Sequence, residues 1–382
     1  MEEISITKKS GRLLGIDFLR GLAILIMTID HVRDSFHSFP LGDLINNDAD
    51  NFLFFTRFIT HFCAPAFIFL AGISAFLHLQ KNNFNFNQIQ LFLVKRGIFL
   101  IIIEFTLISF LWKVIFDLSF YSIDAQVLWA IGVSMIFLAF MLYFATPIIL
   151  LVSILLLTTH NLLDKFNITD SLLWNLLHVK TQMPIGENLF LSSYYPLLPW
   201  LGLMSLGYCF GYYLWNKNFP SEKRKTILLR LSLILIALLL LLRGFSIYGD
   251  SNKFIDTGNF ITSLRSFLNV TKYPPSLHYI LITLPFTLAI LAVSEKWNNK
   301  LVRIISNYGT VAMFYYIVHL VTIPTLNFVL SLIFKEDKFV SVDLSLTYLI
   351  WITIIILLYP VILWFKNIKM KFSDKFPLLS YF

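Results

Sequence analysis

From Leu346 to Phe365 the chain carries no charged residue, and Ile227–Leu242 is nearly as apolar. Runs of about 20 apolar residues match the roughly 30 Å of hydrocarbon that a helix must cross. In that medium each backbone N–H and C=O must be satisfied within the protein, and a helix does so inside one segment. Apolar residues make up 57% of the sequence and charged residues only 14%. A soluble domain carries about 45–50% apolar residues, and the excess here lies in these long runs. A soluble enzyme, a secreted domain and a disordered tail are excluded. The chain reads as all-α, a polytopic helix bundle whose first partner is the lipid bilayer.

Apolar windows of this length give about ten transmembrane helices, near 13–34, 52–79, 92–113, 125–144, 146–163, 192–215, 226–246, 277–295, 308–334 and 343–365. Only Ala145 and the helix-disfavouring Pro147 separate the fourth from the fifth. No internal repeat is visible. One membrane domain over 1–382 is expected, with tails at 1–12 and 366–382 around a bundle at 13–365. Lys8, Lys9 and Arg12 before an apolar stretch imitate a signal peptide, but Asp17 and Arg20 interrupt that stretch and no small-residue cleavage site follows. A retained first span is the expectation.

Lysine and arginine concentrate in the N-terminal tail, the Lys81–Arg96, Lys217–Lys225 and Glu295–Arg303 loops and the C-terminal tail, whereas acids outnumber bases on the other side. The positive-inside rule then places both termini in the cytoplasm. This distribution also accounts for the net charge of +8. No basic stripe with interleaved aromatics exists, so a nucleic-acid partner is not expected. Cys63 and Cys209, the two cysteines, sit within apolar segments, and no disulfide or metal spacing is readable. The long polar loops near 164–191 and 247–276 would either cover a polar acceptor or lie as amphipathic helices on the membrane surface.

An ionisable residue inside a span costs about 2.5–3.5 kcal/mol on insertion scales, so each is a functional candidate. In the first span Asp17 and Arg20 can pair at i,i+3. His31 lies about three turns and about 16 Å of rise beyond Arg20 on the same face. That spacing fits an anchored phosphate below and a reacting carbonyl above, and it equally fits a topology anchor with Asp30 and Arg33 marking the outer interface. In the second span Arg57, His61 and Pro65 share a stripe. A cation beside an imidazole favours the neutral form that can act as a base; the alternative is an interhelical hydrogen bond worth about 1 kcal/mol. Glu104, deep in the third span, is expected to pair with a cation or histidine from another span. His319, one turn after Tyr315, reads first as core packing. Lys272 and His278 flank a proline cluster that either starts a helix or lines an acceptor mouth. His37 follows His31 in a loop, and Lys95 and Arg96 lie at the cytoplasmic end of the third span. There is no P-loop, dinucleotide fingerprint, H-E-x-x-H or G-x-S-x-G pattern.

The opening Arg12-Leu-Leu-Gly-Ile-Asp17-Phe-Leu-Arg20-Gly-Leu-Ala-Ile-Leu-Ile-Met-Thr-Ile-Asp30-His31 resembles the start of the heparan-α-glucosaminide N-acetyltransferase-like membrane family. The segments Thr60-His61-Phe62-Cys63-Ala64-Pro65, Tyr195-Pro196 to Trp200, Lys272-Tyr-Pro-Pro-Ser276 and Tyr308-Gly309 are similar to its bacterial branch. The Arg20-to-His31 spacing is also similar to the type-three membrane acyltransferases. The resemblance implies acetyl transfer from cytoplasmic acetyl-CoA to an amine or hydroxyl of a sugar or glycan on the other face of a bacterial cytoplasmic (inner) membrane. It implies His31 and Arg20 as the functional pair; in the lysosomal branch the active histidine lies closer to the position of His37, so both histidines stay open.

The expected mechanism has Arg20, Asp17, Lys95 and Arg96 holding the donor. His31, oriented by Asp30, acts as base or as the site of an acetyl-histidine, and Arg57 or His61 stabilises the oxyanion. His37, Glu104, Lys272, His278 and His319 form a second group. Acetyl-CoA is the co-substrate, no metal is expected, and N- versus O-transfer and a homodimer are left open. The alternative is a proton-coupled secondary transporter of a small polar solute, because carboxylates and histidines at depth also build proton relays; paired interrupted segments in two halves, its usual companion, are not seen.

Overall fold

Helix α1 (Leu14–Phe36) packs against helices from both ends of the chain. The computed structural model describes residues 14–37, 51–116, 121–166, 168, 171–335, 339–373 and 375–382. The expected tail 1–12, with Arg12 of the opening motif, lies outside them.

After α1 come α2 (Asn51–Thr60), α3 (Cys63–Lys81), α4 (Phe86–Ile103), a π-helical turn at Glu104–Ile108, and α5 (Ser109–Phe116). Strand β1 (Tyr121–Ala125) precedes α6 (Val127–Met141) and α7 (Thr146–Thr159). A short helix α8 (Leu172–Leu177) leads to β2 (Thr181–Pro184) and β3 (Leu189–Ser193). The rest is helical: α9 (Leu198–Leu214), α10 (Ser221–Gly244), α11 (Phe260–Leu268), α12 (Leu277–Ser294), α13 (Lys300–Thr310), α14 (Ala312–Phe334) and α15 (Leu344–Phe372). Among the described residues, 6 helical stretches are long and apolar enough to cross a membrane: 51–81, 146–165, 221–244, 277–294, 312–334 and 344–372. The protein is an all-α membrane protein with a small amount of strand.

Two expected continuous spans are interrupted. Pro65 has no N–H to give to the carbonyl of His61, so the chain breaks between α2 and α3. The Tyr279 hydroxyl donates to that carbonyl instead, at 2.7 Å. In the third window Ser109 Oγ donates to the Glu104 carbonyl at 2.9 Å where the helix widens into its π-turn; such turns are frequent at functional sites.

Helices meet closely where a side chain is missing. A Cβ placed on Gly309 of α13 would come within 1.8 Å of the Asp17 carbonyl oxygen, and one on Gly21 within 1.9 Å of that of Ile305. Close backbone approach at small residues is the usual basis of helix association in lipid, and here it fixes α1 against α13. Along α14 the contacts with α1 are polar: Thr28 with the Tyr315 hydroxyl at 3.1 Å, His31 with His319 at 2.7 Å, and Asn327 donating to the Ser35 carbonyl at 2.6 Å. Both series ascend together, so the two helices run parallel.

A three-stranded sheet, unexpected from sequence, has β1 parallel and β2 antiparallel to the central β3. Its buried positions include Ser122, Asp124, Ser192 and Ser193, joined by a Ser122–Ser192 hydroxyl contact at 2.7 Å. Polar residues face inward, so no alternating apolar pattern marks the strands. The long loop before α12 is also ordered. Arg243 donates to the carbonyls of Ser266, Phe267 and Asn269, while Asp250 accepts from Thr271 N, Thr271 Oγ1 and Ser276 Oγ. This latch presents Lys272 and Tyr273 to the interior.

Candidate active site

The second half of α1, the α2–α3 break, α5 and the latched loop enclose a cavity of about 480 Å³. Its wall brings together Asp30, His31, Arg57, His61 and Lys272, five residues drawn from three separate parts of the sequence. Trp112, Lys180, Tyr195, Tyr273 and Tyr316 complete the polar and aromatic lining.

His31 is 8% exposed. Its ring lies edge-on to Trp112, with centroids 5.2 Å apart, and parallel to His319 at 4.9 Å. Its Nδ1 faces Nε2 of His319 at 2.7 Å, and Nδ1 of His319 reaches the Tyr315 carbonyl, also at 2.7 Å. The orienting partner expected for His31 was Asp30, but the Asp30 carboxylate is ion-paired with Arg33 one turn along the same helix. A guanidinium at i+3 is the nearer and more strongly attracted partner. His319, read from sequence as packing, is thus the residue that holds the His31 ring.

His61 sits in the break, where its Nδ1 donates to the Arg57 carbonyl at 2.8 Å. Arg33, read as an interface marker, is 95% buried, and its Nε and Nη1 have no hydrogen-bond partner among the described residues. The Lys180 and Lys272 ammoniums each stand 5.2 Å from the centroid of the Tyr273 ring. Burial alone would lower the pKa of Lys272, but Tyr273 and Asp30 outweigh it and hold the ammonium above its ordinary value. Four cations, Arg33, Arg57, Lys180 and Lys272, therefore face two carboxylates, Asp30 and Asp34, around one cavity.

Other candidates lie elsewhere. Glu104 was expected to meet a cation or histidine; instead its Oε2 accepts from the backbone N–H groups of Leu128 and Trp129, at 2.6 and 3.2 Å. The unpaired N–H groups and partial positive charge at the start of α6 make that helix end a carboxylate partner. His37 pairs with Val342 as a β-bridge and through Nδ1 at 3.1 Å to its carbonyl. His278 is buried beside Gly249, close to the latch. Arg20 lies towards the other end of α1. It pairs with Asp17 at 3.7 Å and donates to Ser74 Oγ. Arg96 is within electrostatic reach of Arg20 and donates to the Tyr381 carbonyl at 3.3 Å, whereas Lys95 is exposed.

Lys180, Trp112 and the partnership of His319 were not found from sequence, whereas Tyr273 lay in the proline cluster read as a helix start or an acceptor mouth. The only signal was the one-turn spacing of Tyr315 and His319, which does not name a partner on a helix almost the whole chain away.

No curated protein and no solved structure matches the chain. A family model described as heparan-alpha-glucosaminide N-acetyltransferase, catalytic, matches residues 12–246. The match includes His31, Arg57, His61 and Lys180 and ends before Lys272 and His319. Spanning well over half of the sequence, it establishes that the chain belongs to the heparan-α-glucosaminide N-acetyltransferase catalytic family.

Proposed function

We propose that this protein is a membrane acyltransferase that moves an acetyl group from cytoplasmic acetyl-CoA to an amine or hydroxyl of a sugar or glycan on the opposite face. In this reading all 382 residues form one domain of ten spans with both termini cytoplasmic, in a bacterial inner membrane. The observation that carries it, alongside family membership, is the convergence of His31, His61, Arg57 and Lys272 on one cavity.

The chemistry follows from what these groups do. His31 takes the proton from the attacking amine or hydroxyl as the new bond forms to the thioester carbonyl carbon; a positioned base contributes about 10²–10⁴-fold. Arg57 and Lys272 meet the negative charge that develops on the carbonyl oxygen, and such stabilisation is strongest where water is excluded. His61, whose Nδ1–H is given to the Arg57 carbonyl, has no second N–H to offer that oxygen when neutral. The tetrahedral intermediate collapses with rupture of the C–S bond, and His31 returns its proton to the departing sulfur. Arg20 and Arg96, two neighbouring guanidiniums towards the other end of α1, suit the phosphates of the donor. The cation surplus of the cavity favours an acceptor bearing anionic substituents.

The test is acetyl transfer by the purified protein in nanodiscs, using acetyl-labelled acetyl-CoA and a panel of amino, neutral and anionic sugars, with products identified by mass spectrometry. Labelled sugar that disappears in His31→Ala is the expected result. Proton-gradient-driven solute uptake by reconstituted protein that ignores acetyl-CoA would replace this reading with the transporter.

A further inference from the structure

The hydrogen bonds behind His31 fix where its protons are. The Tyr315 carbonyl can only accept, so the His319 nitrogen 2.7 Å away, Nδ1, carries a hydrogen. His319 is 0% exposed, and the partners of its two nitrogens are a carbonyl and another imidazole. Neither is an anion that could offset a charge, and an uncompensated charge at such depth is costly. The ring is therefore neutral, and its Nε2 presents a lone pair. That nitrogen faces His31 Nδ1 at 2.7 Å, so His31 must be the donor there. In the neutral form that a base requires, what remains on His31 is Nε2, unprotonated, on a ring that lines the cavity.

We propose that His319 is a positioning residue that holds His31 in the Nδ1–H tautomer, so that Nε2 is the atom that takes the acceptor's proton. The inference rests on His31 being the base of the proposed transfer. The support behind His319 is itself fixed: Tyr315 is fully buried, its hydroxyl is 3.1 Å from Thr28 Oγ1, and its ring is stacked on that of His319. When Nε2 of His31 gains a proton, the Nδ1–H bond to His319 becomes charge-assisted and strengthens. When the C–S bond breaks, the same proton leaves from Nε2 to sulfur, and His319 ends as it began. His319 does the orienting work that a carboxylate does in serine hydrolases, without adding a negative charge to a cavity already holding Asp30 and Asp34.

The tautomer is measured directly by NMR of the full-length protein, labelled with nitrogen-15 histidine and held in nanodiscs, with His31→Gln and His319→Gln used for assignment. The expected wild-type spectrum has both rings protonated on Nδ1 and bare at Nε2. In His319→Leu the His31 signals move towards the Nε2–H form. In His319→Gln, whose side-chain oxygen can accept from Nδ1–H, they keep the wild-type pattern. In transfer of labelled acetyl to glucosamine, His319→Leu is expected to lose at least about tenfold in kcat, a base in the wrong tautomer having cost a triad hydrolase about 10⁴. The KM for acetyl-CoA is unchanged, and His319→Gln recovers most of the rate. His31 found as Nε2–H in the wild type overturns the proposal, as does a His319→Leu protein whose tautomer shifts at unchanged kcat. A wild-type spectrum as expected, with transfer intact in His31→Ala, leaves the tautomer assignment standing and removes His31 as the base.

Discussion

Glu104 is an acidic side chain with 0% exposure that makes no ion pair among the described residues; two N–H groups at the start of α6 donate to its Oε2. Removing its side chain leaves the N–H groups of Leu128 and Trp129 unpaired, at about 1–3 kcal/mol for each buried donor. Glu104→Ala should therefore unfold at a clearly lower temperature in detergent, with Glu104→Gln in between because it keeps one acceptor oxygen. The two cavity histidines are expected to differ in kind. His31→Ala removes the base and should lower kcat by about 10²–10⁴-fold. His61→Ala removes a ring that donates to the Arg57 carbonyl at the break between α2 and α3, and should lower kcat by less than His31→Ala does, with little change in the KM for acetyl-CoA. The pH dependence has a definite sign, since a base works only when unprotonated: kcat/KM should rise with pH. Because Tyr273 and Asp30 hold the Lys272 pKa up despite its burial, that ammonium stays charged throughout the neutral range. The inflection therefore does not come from Lys272, and with His31 as the base it should vanish from the residual activity of His31→Ala.

At the scale of elements, the glycine contact between α1 and α13 sets the position of the first-span residues. A methyl at Gly309 cannot fit with its Cβ 1.8 Å from a backbone oxygen, so Gly309→Ala must push α13 off α1, at about 1–3 kcal/mol for overpacking. Gly244, which has nothing within 4 Å of its would-be Cβ, is the control, and Gly244→Ala should be neutral or slightly stabilising. Thermal unfolding of the two variants side by side checks both. The elements also show what the sequence could reveal. Spans such as Leu346–Phe365 were legible because lipid demands length and apolarity and little else. The break at His61 lay hidden because the apolar pattern runs on through it, although Pro65 marked the missing N–H. The sheet was hidden for the opposite reason: Ser122, Asp124 and Ser192 point inward, inverting the usual alternation. Asp30, His31, Arg57 and His61 were legible as candidates because charge at depth is conspicuous. The partnership of His31 with His319 was not, since only the parallel packing of α1 on α14 creates it.

At the scale of the whole molecule, α1 joins two polar regions, with Arg20, Asp17 and Arg96 in one and the cavity in the other. About 16 Å of helical rise separates Arg20 from His31, a span that an extended donor arm could bridge. If the donor is held at the Arg20 region, binding and chemistry are separable by substitution. Acetyl-CoA at about 100 times its Kd should stabilise the detergent-purified protein by about 2.7 kcal/mol, a shift readable in a thermal-unfolding assay. Arg20→Ala and Arg96→Ala should move that titration to higher acetyl-CoA concentrations, and free CoA should show the same dependence because it carries the same phosphates. His31→Ala should bind as the wild type does while failing to transfer. The reverse pattern, with a titration weakened by Lys272→Ala or Arg57→Ala and indifferent to Arg20, would mean that phosphates enter by the cavity mouth. The surplus cations there would then serve the donor, and the acceptor would have to approach from the Arg20 region.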